Sequence, residues 1–365
     1  MIAIASTSIA YLHSTSTSRP NSQGPLSIDR TQVTGDFVTY DFVSPSMGWA
    51  LDYSEVRPPS LSGLFWVFRT ADSGAHWQKQ LTGRGAFRGF GSLPIQVIDQ
   101  SHVFVLVRGL TEGLYRTIDG GSHWRLLGLP RTQIEEIEFL DPEHGWLLTQ
   151  PTPDTAEIRE LYQTGDAGDT WQRLPDAPAD AYVLRYRSAK EVWMSGFGPG
   201  NPHVYTSNNA GQTWQRHDLP PPPGQTWDIA PTGSSRGGIE LFPASIQLLP
   251  KVGAVASVTA SGEVYVFSSF DAGHTWKYVP APPGSLAFED ALHWWAMRST
   301  FLFKSSDAGQ TWVQVADKLP NWQYLPQVLD SQHAWATLSV FGGYGLAFTE
   351  TGGIHWTRAR VPQPE

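Results

Sequence analysis

The sequence of 365 residues contains no cysteine. Disulfide bonds, thiolate nucleophiles and cysteine-ligated zinc are therefore excluded. Charged residues make up only 16% of the chain, against about 25% in a typical soluble domain. Acidic residues outnumber basic ones, which gives a formal net charge of −9. This balance argues against bulk electrostatic attraction to nucleic acid or to anionic lipid.

The sequence also lacks any run of about 18 apolar residues, so no segment is predicted to span a membrane as a helix. The N-terminal stretch IAIASTSIAYLHS is mildly apolar but lacks the basic flank of a secretory signal. Two interpretations of residues 1–35 stay open: a disordered tail rich in serine and threonine, or the remainder of an export or anchor segment. The second would place the protein outside the cytoplasm, as a secreted, periplasmic or membrane-anchored chain.

Glycine, proline and tryptophan are abundant, with 35, 28 and 16 residues. This composition favours many short strands joined by tight turns. One eight-residue pattern, the octet, occurs seven times, as TADSGAHW, TIDGGSHW, TGDAGDTW, SNNAGQTW, SFDAGHTW, SSDAGQTW and TETGGIHW. Its final tryptophans are separated by 47, 47, 43, 62, 36 and 44 residues, close to the length of one four-stranded propeller blade.

A second pattern precedes each octet: an apolar residue is followed seven positions later by tryptophan in five of the seven copies, as in FLDPEHGW. Short runs such as ELYQT and VYVFS lie directly before the octets and have strand propensity. Each unit therefore predicts four antiparallel strands, A to D. We predict an all-β fold, a single seven-bladed β-propeller, over residues 36–362. Its blades are expected at about 36–82, 92–128, 133–175, 181–219, 240–280, 285–319 and 324–362.

The octets are predicted to form the turns between strands C and D. A carboxylate at the third position accepts nearby backbone N–H bonds, and a glycine at the fifth adopts a positive φ. Catalysis and metal binding are not favoured, because each blade contributes a single carboxylate to a wide ring. The turn residues are Asp72, Asp119, Asp166, Asn209, Asp271 and Asp307. The octet tryptophans, expected to pack between blades, are Trp77, Trp124, Trp171, Trp214, Trp276, Trp312 and Trp356.

Histidines recur in the octets and in the A–B turns of several blades, at most one in each turn, as His76 and His144 do. We therefore interpret them as turn or packing residues, and no metal site is predicted. Neither a phosphate-binding glycine loop nor a nucleophile elbow is present. No cofactor is expected.

The octet SxDxGxxW resembles the Asp-box, or bacterial neuraminidase repeat, and its seven copies cover nearly the whole chain. This repeat occurs in sialidases, xyloglucan-cleaving glycosidases, sortilin-type receptors and photosystem II stability and assembly factors. With the upstream element FLDPEHGW, the sequence looks most like the last family, whose members are single seven-bladed propellers that bind proteins and are not known as enzymes. The resemblance implies a bacterial, non-enzymatic, assembly-factor-like protein with a protein partner. Blade 5 departs from the pattern, since LLPKVGAV has no tryptophan.

The variation in length is confined to one face of the predicted propeller. The A–B and C–D turns have nearly constant lengths, whereas the B–C loops and D–A links vary, with one link reaching 34 residues between its markers. Loops on a rigid scaffold commonly carry function, and arginine with aromatic residues is typical of protein-binding hot spots. The candidate binding residues are Arg57, Arg84, Phe87, Arg88, Arg108, Trp227, Arg236, Arg298, Trp322 and Tyr324. The alternative is that these side chains are solvated or pack beneath their own loops.

A secreted carbohydrate-active protein, either a sialidase-like glycoside hydrolase or a lectin, is the alternative function. A glycosidase needs two carboxylates about 5 to 10 Å apart, or an equivalent nucleophile pair. Carboxylates near the predicted A strands are Asp41, Glu135, Glu138, Glu289 and Asp290. The Arg-Ile-Pro element that usually opens a sialidase propeller is absent. We therefore assign no catalytic residue, and we expect a protein partner, with carbohydrate as the alternative ligand and no nucleic acid.

Overall fold

The computed structural model describes residues 37–53, 63–85, 94–107, 113–131, 133–150, 158–196, 200–227, 245–249, 251, 253–260, 263–298, 300–317, 319, 326–340 and 343–363. Throughout these ranges the regular structure is β-strand, without any helix. Accordingly, no helix suited to crossing a membrane occurs among the described residues.

The strands form seven four-stranded antiparallel sheets, each built from four consecutive strands. Blade 1 contains β1 (Phe37–Phe42), β2 (Gly48–Tyr53), β3 (Gly63–Thr70) and β4 (Gln78–Gly85). Blade 2 contains β5 (Ile95–Val97), β6 (Val103–Val107), β7 (Gly113–Thr117) and β8 (Arg125–Leu127). Blade 3 contains β9 (Ile134–Phe139), β10 (Gly145–Thr149), β11 (Leu161–Thr164) and β12 (Gln172–Arg173). Blade 4 contains β13 (Ala181–Tyr186), β14 (Val192–Gly196), β15 (His203–Ser207) and β16 (Gln215–Asp218).

The remaining three sheets repeat this arrangement. Blade 5 contains β17 (Ser245–Leu248), β18 (Ala254–Ala260), β19 (Glu263–Ser269) and β20 (Lys277–Val279). Blade 6 contains β21 (Ser285–Phe288), β22 (Trp294–Arg298), β23 (Phe301–Ser305) and β24 (Val313–Ala316). Blade 7 contains β25 (Gln327–Val328), β26 (Ala334–Val340), β27 (Gly343–Thr349) and β28 (Thr357–Ala359). The predicted all-β, seven-bladed propeller is confirmed.

The ring closes by packing of blade 7 against blade 1. The ring of Trp335 stacks on Phe42 with centroids 3.8 Å apart and planes 4° from parallel. The indole Nε1 of Trp77 donates to the carbonyl oxygen of Arg360 at 3.0 Å. Because each sheet contains four consecutive strands, closure requires no exchange of a strand between the first and last described blades.

Aromatic stacking between consecutive blades explains the second sequence pattern. In blade 3, Trp146 of β10 stacks on Tyr186 of the next blade with centroids 3.5 Å apart. Phe104 of blade 2 stacks on Phe139 of blade 3 in the same way, at 3.5 Å. The apolar residue that ends strand A thus meets the aromatic residue of strand B from the preceding blade. Both positions are fully or almost fully buried.

The octet tryptophans also pack between blades, but they are less buried than their size suggests. Trp276 is buried, whereas the other six are half-buried. Trp312 lies against a cluster that includes Val279 of blade 5 and Trp294 of blade 6. Its Nε1 donates to the carbonyl oxygen of Gly309 at 2.9 Å, which fixes the ring over its own turn.

The octet turn has the local structure that its residues predict. In SSDAGQTW, Oδ1 of Asp307 accepts from the Ser305 hydroxyl at 2.8 Å and from the Thr311 N–H at 2.8 Å. Oδ2 accepts from the Thr311 hydroxyl at 2.6 Å. Gly309 has φ 81°, and a Cβ added there would lie 2.7 Å from the Trp294 ring. Glycine is therefore needed both for the turn and for packing against Trp294.

We expect Asp307→Ala to lower the melting temperature, whereas Asp307→Asn should have a smaller effect. Alanine removes all three accepted hydrogen bonds, but asparagine occupies the same position in blade 4, where Oδ1 of Asn209 accepts from Ser207 and Thr213. The Thr311 and Ser305 bonds hold the pKa of Asp307 at about 2. The stabilisation by the carboxylate is therefore present above about pH 4 and is lost as the pH falls towards 2.

Thermal melts of both variants at pH 7 and at pH 3 measure this difference. Equal melting temperatures for the alanine and asparagine variants would contradict the turn-forming role. The Asn209→Ala variant provides a pH-independent control in the neighbouring repeat, since an amide does not titrate in this range.

Candidate functional site

The two sets of constant turns lie on the same face of the propeller. The backbone N–H of Ala308, in the octet of blade 6, donates to the Leu292 carbonyl in its A–B turn at 3.0 Å. Ala167 and Glu143 form the equivalent bond in blade 3, at 2.8 Å. We call this side the octet face. The B–C loops and D–A links lie at the opposite ends of the antiparallel strands, and we call that side the variable face.

Histidine and aspartate form repeated pairs on the octet face, and these pairs build turns. In the A–B turn of blade 3, Oδ1 of Asp141 accepts from the His144 backbone N–H at 2.8 Å, and the His144 ring nitrogen Nδ1 lies 3.0 Å from the carboxylate. In the octet of blade 1, Nδ1 of His76 lies 2.6 Å from Oδ2 of Asp72. The hydroxyl of Thr170 makes the same contact with Asp166, also at 2.6 Å. The side chains of histidine and threonine therefore make the same contact with the turn carboxylate in different octets.

Glu289, Asp290 and His293 of blade 6 have ligand atoms within 4.8 Å of one another. The Asp290–His293 pair, at 2.8 Å, repeats the Asp141–His144 arrangement of blade 3. We therefore assign this cluster to the turn.

Two predicted binding residues of the variable face, Arg84 and Arg298, are exposed. Arg84 on β4 is in register with Leu64 on β3, and Arg298 on β22 is in register with Phe301 on β23. Residues in register on antiparallel strands project from the same side of the sheet. Leu64 and Phe301 are 44% and 39% exposed. Each site therefore presents a cation beside an exposed apolar side chain.

Neither guanidinium forms an ion pair within the described part of the chain, and this distinguishes both from Arg131, Arg159 and Arg173 of the same face. In blade 3, Nε of Arg131 lies 2.6 Å from Glu160, and Arg173 approaches the same carboxylate at 3.4 Å. Arg159 lies 3.3 Å from Glu135. The Arg131 guanidinium holds the pKa of Glu160 below its ordinary value. These paired arginines offer less positive charge to a partner than Arg84 and Arg298 do.

Trp227, a third predicted binding residue, is half-buried and packs beneath its link. Its Nε1 donates to the Leu219 carbonyl at 2.9 Å, and its ring meets Tyr265 edge-on with centroids 5.9 Å apart. These contacts hold Trp227 against its own link and strand C of blade 5, and its part in binding stays a prediction. The other predicted binding residues lie outside the described residues: Arg57, Phe87, Arg88, Arg108, Arg236, Trp322 and Tyr324.

The sequence patterns give no sign of a polar side-chain cluster in blade 4. The imidazole of His203 lies 2.8 Å from Oδ2 of Asp180, and the Tyr205 hydroxyl donates to Oδ1 of Asp180 at 2.8 Å. His203 begins strand C, and Asp180 directly precedes strand A. No short motif links them, since they are 23 positions apart.

The carboxylates considered for catalysis are engaged elsewhere. Asp41 accepts hydrogen bonds from Val97 and Gln327, in the two blades that flank its own. Glu135 is paired with Arg159, and Glu138 lies 3.6 Å from Arg185. Glu289 and Asp290 lie at the A–B turn of blade 6, on the octet face. The structure therefore does not gather these five carboxylates on the variable face.

The fold and its repeated turns define a seven-bladed β-propeller with one constant and one variable face. No family model matches the sequence. The photosystem II stability/assembly factor HCF136 of Oryza sativa subsp. japonica is 27% identical over 130 residues, which cover 32% of this chain and 27% of that protein. The photosystem II assembly lipoprotein Ycf48 of Synechococcus sp. (strain CC9902) is 29% identical over 132 residues, which cover 34% of this chain and 35% of that protein.

This chain thus spans about a quarter to a third of the length of these curated relatives. Among solved structures, YCF48 bound to D1 peptide has the same fold, with a TM-score of 0.55 at 16% identity over 88% of this chain and 95% of that chain. At this level of identity the similarity concerns the fold.

Proposed function

We propose that this chain is a non-enzymatic propeller that binds a protein segment through its variable face. The observation that carries this proposal is the register of an exposed arginine, without an ion pair among the described residues, with an exposed apolar residue at two places, Arg84 with Leu64 and Arg298 with Phe301. Arginine next to apolar surface is characteristic of the anchor points of protein interfaces. An extended segment that carries acidic and apolar side chains has the complementary chemistry.

Two further observations support an assembly-factor-like role rather than a carbohydrate-active one. The partial relatives are named as photosystem II stability and assembly factors, and the solved structure of the same fold contains a D1 peptide. We accordingly interpret the octets as Asp-box repeats and place the protein outside the cytoplasm. Asp41, Glu135 and Glu138 are held in ion pairs or interblade hydrogen bonds, and Glu289 and Asp290 lie on the octet face, which does not favour the glycosidase alternative.

The test is to titrate a fluorescently labelled D1 peptide with the full chain and to follow its anisotropy. We expect the double variant Arg84→Glu, Arg298→Glu to bind at least about 30-fold more weakly than the wild type, because charge reversal at two anchors removes attraction and adds repulsion. Lys190→Glu is the matched control, since this exposed lysine lies in the A–B turn of blade 4 on the octet face. Its affinity should equal that of the wild type.

The proposal fails if the wild type does not bind the peptide, or if the double variant binds as tightly as the wild type. All three proteins should melt at the same temperature, because both arginines are exposed and form no ion pair among the described residues. Release of reducing sugar by the wild type in a screen of polysaccharide substrates would overturn the non-enzymatic part of the proposal.

A further inference from the structure

Strand β4 is the outer strand of blade 1, and it is the longest outer strand that the structure describes. Each sheet ends on its fourth strand, whose outward edge carries backbone N–H and C=O groups available for pairing with another chain. β4 has eight residues, whereas the fourth strands of the other blades have two to four. Very short edge strands protect a sheet against pairing with other chains. Blade 1 therefore lacks a protection that the other blades have.

The part of β4 nearest the variable face is regular. A bulge at Gln80 interrupts the pairing with β3, and residues 81–85 are then continuously in register with residues 63–67. We call residues 81–85 the regular segment. Thr82 and Arg84 within it are exposed, and no backbone hydrogen bond from another described part of the chain reaches it. The regular segment thus presents an ordered edge to solvent.

Arg84 lies on one side of the regular segment, together with an apolar neighbour. It is in register with Leu64 of β3, so both side chains project from the same side of the sheet. Arg84 is exposed, and Leu64 is 44% exposed. A residue of an added strand that stood opposite Arg84 would project from this side as well. This side therefore favours an acidic side chain.

The other side of the regular segment faces an apolar surface to which blade 2 contributes. A Cβ added to Gly83 would lie 2.6 Å from the Phe65 ring, and the centroid of that ring lies 5.5 Å from that of Tyr115 in blade 2. Leu126 of β8 is in register with Tyr115 and is 58% exposed. Alternate side chains of an added strand project towards this side, which favours apolar residues there.

A second copy of the chain is not the favoured occupant of this edge. Antiparallel pairing of two β4 strands over their full length places Arg84 of one copy opposite Lys79 of the other, and parallel pairing in register places the two Arg84 side chains opposite each other. Like charges directly opposite destabilise a strand pair. Two copies with a net charge of −9 each also repel one another. An acidic residue opposite Arg84 forms an attractive pair instead.

We propose that the regular segment of β4 accepts an extended segment of a partner protein, with alternating acidic and apolar side chains, as a fifth strand of blade 1. Main-chain hydrogen bonds hold the added strand, and the alternating side chains give specificity. An acidic side chain of the partner pairs with Arg84. The choice of partner rests on the proposed function, in which Arg84 is an anchor, whereas the binding mode is additional to it.

The first test is an anisotropy titration of the full chain with two labelled peptides, four Glu-Val repeats and four Lys-Val repeats. The Glu-Val peptide should bind at least about tenfold more tightly, although the net charge of −9 alone favours the Lys-Val peptide. Arg84→Glu should abolish or reverse this preference. Lys277→Glu is the matched control, because this exposed lysine begins the outer strand of blade 5. It should leave both affinities unchanged.

The second test distinguishes strand addition from binding by side chains alone. Only alternate N–H groups of an added strand point towards β4. Methylation of the backbone nitrogens of either the glutamates or the valines should therefore weaken binding about tenfold or more, while methylation of the other set has little effect. On the protein, bound peptide should slow amide hydrogen exchange at alternate residues of the regular segment. Equal effects of the two methylations would contradict strand addition.

The outcomes separate this inference from the proposed function. Alternating effects with the Glu-Val peptide, but no binding of the D1 peptide, would support strand addition and refute the proposed function as tested above. D1 binding that depends on Arg84, together with no binding of the Glu-Val peptide or with equal effects of the two methylations, would refute strand addition alone. Absence of binding by both peptides would refute both.

Discussion

Replacing Trp146 with alanine should lower the free energy of unfolding by about 3 to 5 kcal/mol, as expected for a large buried aromatic residue. The ring is 1% exposed and stacks on Tyr186 of the next blade, so its removal leaves a cavity between two blades. The same substitution at Trp312 should cost less, because half-burial leaves fewer contacts to lose. Chemical denaturation of both variants, monitored by fluorescence and by circular dichroism, measures the difference.

Trp146→Phe is the control for this experiment. Phenylalanine keeps an aromatic ring against Tyr186 and removes an indole N–H that has no hydrogen-bond partner among the described atoms. We therefore expect it to cost much less than alanine. Equal losses for Trp146→Ala and Trp312→Ala would contradict the assignment of the main interblade packing to strand B.

The repeat unit could be predicted because its signals are local. The Asp307 turn needs a hydroxyl, a carboxylate and a glycine within five positions, and all three interactions are formed inside the octet. The number of octets then predicted seven blades, and their spacing predicted the length of each blade. The greater burial of the strand B tryptophans relative to the octet tryptophans could not be predicted from the sequence, because it depends on how closely neighbouring blades approach.

The contacts between strand A side chains and neighbouring blades could not be predicted. Gln96 of blade 2 donates to Ile137 and accepts from Phe139, both in blade 3. Gln327 of blade 7 accepts from Phe42 of blade 1, which is 285 positions away. Polar residues in short strands carry no periodic signal for such partners, since the ring geometry alone brings them together.

Only part of the candidate site could be predicted, for a related reason. The loop lengths indicated that the variable face is the binding face. The arginines in its loops indicated Arg84 and Arg298 as candidate binding residues. The sequence did not reveal that Arg131 is paired with Glu160 and Arg173 with Asp176, because ion pairing depends on the loops being folded. It also gave no sign of the His203–Asp180 contact.

Asp41 connects three blades at the point where the ring closes. Its Oδ2 accepts from the Val97 N–H of blade 2 at 2.8 Å, and its Oδ1 accepts from the Gln327 side chain of blade 7 at 2.9 Å. The side chain is buried. Burial raises the pKa of Asp41 to about 7, even though both hydrogen bonds act in the opposite direction.

This raised pKa predicts that the contribution of Asp41 to the stability of the wild type falls as the pH increases. Below about pH 4 the carboxyl group is protonated in both the folded and the unfolded chain, so burial imposes no ionisation cost. Between pH 4 and 7 the Asp41 carboxyl group is ionised in the unfolded chain but still largely protonated in the folded chain. The folded state is therefore destabilised relative to the unfolded state. Each unit of pKa difference corresponds to about 1.4 kcal/mol, so the penalty reaches about 4 kcal/mol by pH 8.

The Asp41→Asn variant removes this titration and should be far less sensitive to pH. Asparagine keeps one acceptor oxygen for Val97 or Gln327, so the loss of the second acceptor imposes a cost of about 1 kcal/mol at every pH. We expect the stability of the variant relative to the wild type to increase by about 4 kcal/mol between pH 4 and pH 8. Other groups with raised pKa, such as Glu138, titrate in both proteins and cancel in the difference. Urea denaturation measures the difference in free energy of unfolding between the variant and the wild type. A difference that stays constant from pH 4 to 8 would contradict the prediction. It would mean that the hydrogen bonds from Val97 and Gln327 compensate for the burial of an ionised Asp41.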